Sequence, residues 1–495
     1  MVVRGITSEL APFPPCSILP DMIRLALLSF LALTAPLHAL NVLILGSSEG
    51  FEKREMPKGH DTHLDLKKLG PEFERVLNKG KSGGVKVTYQ DIYTTKDTPV
   101  GLGSAGRQTP TTFHCHSLAQ YIFWPEGREA RLANLQNKGT TKWDYIYIVG
   151  DPYLIGQMPG IYAEGVHLVM EQIAKGEAKV ALVMPWHSND TINKRIPEVV
   201  QRVAAGLKLP VAPAGLVWTQ SKGKLQPGQG EYIAASTMVS AISNSTAWGK
   251  NMAEQNLAKT SLAAIKHIKA NPPSSDYKTP SPFYPEYLDK EVITYCQTGT
   301  SSEAGIRGGL NDAIKRIGST PKQVNCNGDN IDFNYGRANS NFEPNKRYKV
   351  NPDKYGRSYG FPMQEQQNTA STSMPYGIDK RYFNGRSYDD GTDLGIAYDM
   401  IRQGEVEKRV YAVPVRLLLC KLMDADPSIK PLRDRWHMSR ELDTAIGCYM
   451  VTILTGKNPV GDEPAKGSKE WKAWVSRKTG YETAMRMGRL TYEPK

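Results

Sequence analysis

Cysteine is scarce in this chain, six in 495 residues, which is too thin a supply for a small scaffold stapled by disulfides. With Cys16 set aside as part of a leader, five remain, so at most two bridges can form and their pairing cannot be read from spacing. Long apolar runs are equally rare. Beyond the leader no stretch is apolar for long enough to cross a bilayer, so no membrane span is expected. A dinucleotide fingerprint is missing as well: after the first strand-like run, where G-x-G-x-x-G would belong, the sequence reads "GSSEGF". "GLGSAG" (101–106) is followed by neither a lysine nor a helix start. The histidine clusters His60/Asp61/His63 and His114/Cys115/His116 fit no standard zinc spacing. "NGDNID" and "YDDGTD" lack the downstream glutamate of a calcium loop. No metal or organic cofactor is therefore expected. The balance of 62 Lys and Arg against 50 Asp and Glu gives +12, but the basic residues are scattered and accompany no nucleic-acid motif, so no nucleic-acid partner is expected. Oligomeric state is not legible.

What is present begins with "MIRLALLSFLALTAPLHA" (Met22–Ala39), a basic start, an apolar run from Leu25 to Leu33 and Ala39 before a new strand. This has the form of a secretory signal peptide and implies a secreted or periplasmic protein. Pro12, Pro14, Pro15 and Pro20 precede it and fit no targeting peptide, which makes Met22 the expected initiator. From residue 40, strand-like and helix-length stretches alternate. "NVLILG", "VKVTYQDIY", "WDYIYIVG", "KVALVMPW" and "LPVAPAGLVW" read as strands, three of them nearly continuously apolar, so both faces of the sheet should be covered by helices. "YAEGVHLVMEQIAKGEA" places Val166, Val169, Met170 and Ile173 at helical spacing. The fold class expected is α/β, doubly wound around a parallel sheet.

A weak repeat runs through the chain. "GSSEG" (46–50) recurs as "GTSSEAG" (299–305), "VMEQIAKGEAKVALVMPW" (169–186) as "DMIRQGEVEKRVYAVPV" (399–415), and "GEYIAASTMVSAIS" (from Gly230) as "GCYMVTILTGK" (from Gly447). A serine just past the carboxyl end of a buried parallel strand sits where open α/β sheets place ligands, and it needs a base to become nucleophilic. Asp434 and His437 form D-x-x-H, a spacing that puts a carboxylate and an imidazole on one side of a turn.

Taken in order, "VLILGSSEG", "KWDYIYIVGDPYLIGQMP", "KVALVMPWHSND", "LPVAPAGLVW" and "GEYIAASTMVSAIS" resemble the SGNH (GDSL-type) hydrolases, in particular the secreted bacterial branch. The resemblance implies a three-layer α/β/α sandwich, a serine nucleophile in the first block, a D-x-x-H near the carboxyl end as orienter and base, an oxyanion hole, and hydrolysis of esters on carbohydrates or lipids. It implies a unit at 40–255, a linker at 256–289, a second, looser unit at 290–465 with an Asn/Tyr/Gly-rich insertion at 325–390, and a tail at 466–495. The candidate nucleophiles are Ser48 and Ser301, Asp434 and His437 the orienter and base, and Gly150 and Gly106 the oxyanion donors. Departures divide the motif between the units. Where unit one should carry D-x-x-H it has Lys222 and Leu225, and its third block reads Gly150-Asp151-Pro152-Tyr153 without an asparagine. Three arrangements fit: Ser301 with His437 inside unit two; Ser48 served by His437 from across the chain or by another histidine such as His187; or a decayed pair that binds a glycan without cleaving it.

Overall fold

In the computed structural model the described residues are 40–46, 64, 66–78, 85–91, 118–123, 128–150, 152–157, 159–173, 178–187, 190–220, 229–243, 251–271, 290–298, 305–324, 332–337, 359–363, 413–431, 433 and 438–488. Strands β1 (Leu40–Gly46), β2 (Val85–Asp91), β3 (Tyr145–Val149), β4 (Lys179–Val183) and β5 (Val211–Ala212) form a parallel sheet in the order β2-β1-β3-β4-β5. Parallel neighbours need crossovers, and helices supply them: α1 (Leu66–Asn78), α2 (Leu118–Phe123), α3 (Arg128–Leu135), α4 (Pro152–Gln157), α5 (Pro159–Gln172), α6 (Asp190–Leu207), α7 (Ala214–Gln220), α8 (Gln229–Ser243) and α9 (Met252–Ala270). Side chains alternate across each strand. Val42 and Ile44 therefore join Tyr147, Val149 and Val183 against Phe73 of α1 and Met238 of α8, while Leu43 and Leu45 join Ile146, Ile148 and Leu182 against α2, α5 and α6. Both faces are buried, which is why these strands read as unbroken apolar runs. This is the expected α/β/α sandwich.

A second parallel sheet follows, built from β6 (Val292–Thr298), β7 (Thr320–Gln323), β8 (Phe333–Arg337) and β9 (Tyr359–Met363) in the order β7-β6-β8-β9. Its helices are α10 (Ile306–Arg316), α11 (Val415–Ala425), α12 (Arg440–Thr455) and α13 (Trp471–Gly488). The strand order repeats that of the first four strands of the first sheet. The helix pairings repeat too: α1 packs on α8 as α10 packs on α12, α8 on α9 as α12 on α13, and α7 on α8 as α11 on α12. Val413-Pro414 leads into α11 as Ala212-Pro213 leads into α7. The middle match of the repeat therefore shifts from β4 to β5.

The core on the α5 face of the first sheet runs without a break into the second, through Leu418, Val475, Tyr449 and Ile314 to Ile293 and Tyr335. Glu164 of α5 is fully buried and accepts from the Lys421 ammonium of α11 and, at 3.5 Å, from Arg486 of α13. Arg128 of α3 donates to Asp424 of α11 at 2.6 Å.

Several readings change. "LPVAPAGLVW" is a two-residue strand followed by a helix, because Pro213 cannot continue a ladder and its carbonyl accepts the N–H groups of Leu216 and Val217. The stretch 325–390 contains β8 and β9, and the alternation of buried Phe333 and Tyr335 is a strand period hidden among Asn, Gly and Arg. In place of a tail, 471–488 is α13, with Trp474, Val475, Ala484 and Met487 in the core. The helix α9 occupies the start of the expected linker.

Candidate functional site

The chain leaves β1 for β2 on one side and later returns to β3 on the other, so β1 is the switch-point strand of its sheet, and β6 is that of the second. Ligands of open α/β sheets bind beyond the carboxyl ends of such strands. Gly46 closes β1 two residues before Ser48, and Thr298 closes β6 three residues before Ser301. Ser48, Ser301, Asp434, His437 and Gly106 lie outside the described residues, as do both histidine clusters, so the structure is reported through their neighbours.

In the first unit, the β1–β3 register sets Leu45 beside Ile148, which carries Gly150 to the level just past Gly46. Gly150 is buried there, and a Cβ on it would lie 2.5 Å from the Tyr162 ring and 2.8 Å from Ile155. Glycine is required at this place by packing. His187 is buried past the end of β4, its backbone N–H donating to Asn193 Oδ1 at 3.0 Å. At the start of α8, Gly230 packs against the indole of Trp186, which stacks on Trp218 with ring centroids 5.7 Å apart. An indole thus fills the approach to this helix.

The corresponding helix of the second unit begins differently. Ser439 caps α12, its Oγ accepting from the Leu442 N–H at 3.3 Å, and Gly456 ends the helix in the left-handed region at φ +69°. The helix α8 starts one residue before Gly230, whereas α12 starts seven before the matching Gly447. The longer His437–Gly447 spacing is therefore taken up by additional helix. Those turns carry Asp443 and Thr444 to the start of α10, where a Cβ on Gly305 would lie 2.6 Å from Asp443 Oδ2. Gly309 meets the backbone of Asp443, and Gly447 meets the backbone of Gly309 and Leu310. The two helices accordingly run with their amino-terminal turns side by side. The stretch ahead of α12 is closed on itself, Ser439 N–H donating to Pro431 O at 2.8 Å and Arg433 Nε to Met438 O at 2.8 Å. The amino-terminal turns of α10 and α12, which follow 299–304 and 434–437 in the sequence, thus meet at Gly305 and Asp443.

Asp443 is 5 % exposed, and among the described residues its Oδ1 has no hydrogen-bond partner. Burial pushes its carboxyl up to about 7, against the pull of the Arg433 guanidinium and helped by Glu441. A carboxyl raised by burial at the edge of a cleft is a candidate functional group. The cleft measures about 840 Å³ and is lined by α10, by the first turns of α12 and by the approach to and first half of α13. Nothing in the D-x-x-H reading pointed to Asp443. Its signal was a carboxylate inside the otherwise apolar "LDTAIGCYM". Among the described residues no group of three or more His, Cys, Asp or Glu side chains could hold a metal ion, and no helix is long and apolar enough to cross a membrane.

No family model and no curated protein matches the chain. Among solved structures it is similar to a putative SGNH hydrolase from Slackia heliotrinireducens, at 14 % identity and a TM-score of 0.29 over 41 % of this chain and 100 % of that one. It is also similar to an acetylxylan esterase from Geobacillus stearothermophilus, at 14 % identity and a TM-score of 0.26 over 41 % of this chain and 94 % of that one. Likenesses at these TM-scores carry no weight on function.

Proposed function

We propose that the chain is an exported serine ester hydrolase that acts on a carbohydrate or other polar ester, with Ser301 as nucleophile, His437 as general base and Asp434 as its orienter. The observation that carries this reading is the meeting of α10 and α12 at Gly305 and Asp443, because the serine-bearing connection leads into one helix and D-x-x-H into the other. In the sequence Ser301 lies three residues after the end of β6, the switch-point strand of the second sheet, and four before Gly305, while His437 lies three before α12. In the reaction, Ser301 Oγ attacks the ester carbonyl and passes its proton to His437, which gives it to the departing alcohol. Water then attacks the acyl-enzyme, loses its proton to His437 and frees Ser301 as the acid leaves. Gly150 belongs to the first unit, one residue past the level of Gly46, and would serve Ser48 instead. Unit one, with Leu225 where a base belongs and Trp186 over the start of α8, acts as a scaffold.

Export is supported by the Met22–Ala39 segment and by Cys296, which is disulfide-bonded while Cys420 and Cys448 are free thiols. The test is hydrolysis of p-nitrophenyl acetate by the full chain. Ser301→Ala and His437→Ala should each lower kcat by at least about a thousandfold with KM little changed, and Ser48→Ala should leave both constants near the parent values. Loss of activity in Ser48→Ala with retention in Ser301→Ala would move the site to unit one. Activity unaffected by all three would leave glycan binding without cleavage as the better reading.

A further inference from the structure

Two polar side chains of the second-unit cleft are more than nine-tenths buried without the partners that burial demands. Arg477 of α13 is 7 % exposed; its Nε donates to Val460 O at 2.9 Å, and no carboxylate among the described residues bonds its guanidinium. Burial and the neighbouring Arg316, to which Asp312 is bonded at 2.8 Å, hold the Arg477 guanidinium below its usual range, outweighing the opposing pull of Asp312 and Glu470. Asp443 is 5 % exposed, its Oδ1 without a partner among the described residues. A buried cation with no carboxylate bonded to it is incompletely compensated, and a ligand that bonds it removes part of that cost. Both groups line the same cleft, whose volume of about 840 Å³ suits a small molecule. The α10 wall between them is open, since a Cβ on Gly308 would meet nothing within 4 Å.

The lining also defines the chemistry of the occupant. A guanidinium fork matches a carboxylate in two parallel hydrogen bonds. A carboxyl held near neutrality can both donate and accept, as a hydroxyl group can. Among the described residues that line the cleft, charged side chains of both signs alternate with glycines and aliphatic stems, so polar and apolar surface are about equal, which suits a sugar with its hydroxyl groups and C–H faces. We propose that the cleft binds a sugar acid, with Arg477 taking the carboxylate and Asp443 a ring hydroxyl. The site rests on its own side chains and stands whether Ser301, Ser48 or neither serine is the nucleophile.

Titration calorimetry of the full chain with glucuronate, glucose and glucose 6-phosphate at pH 7 tests it. Glucuronate should bind at least tenfold more tightly than either other sugar. Arg477→Gln should lower the glucuronate affinity at least tenfold and leave glucose unchanged, and Asp443→Asn should weaken both sugars. Arg477→Gln also removes the bond to Val460, so Gly308→Glu serves as a second variant: it adds a carboxylate in open space and should likewise abolish the preference for glucuronate. Absence of glucuronate binding, equal affinity for glucuronate and glucose, tighter binding of the phosphate, or a preference surviving Gly308→Glu would each overturn the proposal.

Discussion

Asp443 is the residue at which stability and function pull apart. Its folded carboxyl titrates near 7 where the free group titrates near 3.8, so the folded state holds a proton that the unfolded state gives up between those values. The sign follows from linkage: stability owed to this group is present below about pH 3.8 and is lost as pH rises through 7. Asp443→Asn should therefore raise the unfolding free energy at pH 8 by roughly 1–2 kcal/mol, a discounted fraction of the full shift, and change little at pH 4. Thermal denaturation of both proteins at the two pH values measures this. A difference that does not depend on pH would mean that Asp443 is not held as described.

At the scale of elements, the crossing of α10 and α12 sets the site, and glycines set the crossing. A Cβ on Gly447 would lie 2.5 Å from Gly309 C and Leu310 N, both backbone atoms that cannot swing aside. Gly447→Ala should cost about 1–3 kcal/mol in urea unfolding. Gly308→Ala, on the open side of the same helix, should be neutral or stabilising by up to about 1 kcal/mol, since alanine favours the helix. The repeat drew attention to Gly447 in the sequence, but its partner was not legible: the matching Gly230 faces an indole instead. Strands β1, β3 and β4 were legible because burial on both faces writes a continuous apolar run. The short β8 and β9 were not, because Asn334, Gly336 and Pro362 break that run. The helix α13 was not legible because Lys472, Arg477, Lys478, Glu482 and Arg486 interrupt its apolar period, although Trp474, Val475, Ala484 and Met487 are all buried.

Over the whole molecule, the two sheets share one hydrophobic core, with charged groups where their helices meet. Burial alone would raise the Glu164 carboxyl, but the neighbouring Lys421 and Arg486 outweigh it and hold Glu164 below its ordinary range. Lys421→Met strands that carboxylate and should cost about 3–5 kcal/mol in denaturant unfolding. The double replacement with Glu164→Gln should recover most of the loss, as replacing both partners of a buried pair commonly does. None of this coupling was visible in sequence, since Glu164 and Lys421 are 257 positions apart. The repeat was legible in outline, and the repeated strand order and helix pairings match it; Ser48, Ser301, Asp434 and His437 themselves lie outside the described residues.

The most direct measurement is covalent. Treating the full chain with a fluorophosphonate and mapping the adduct by peptide mass spectrometry asks which serine is activated. The account requires the label on Ser301, with labelling lost in His437→Ala. A label on Ser48, or a chain that takes up no label, would contradict it.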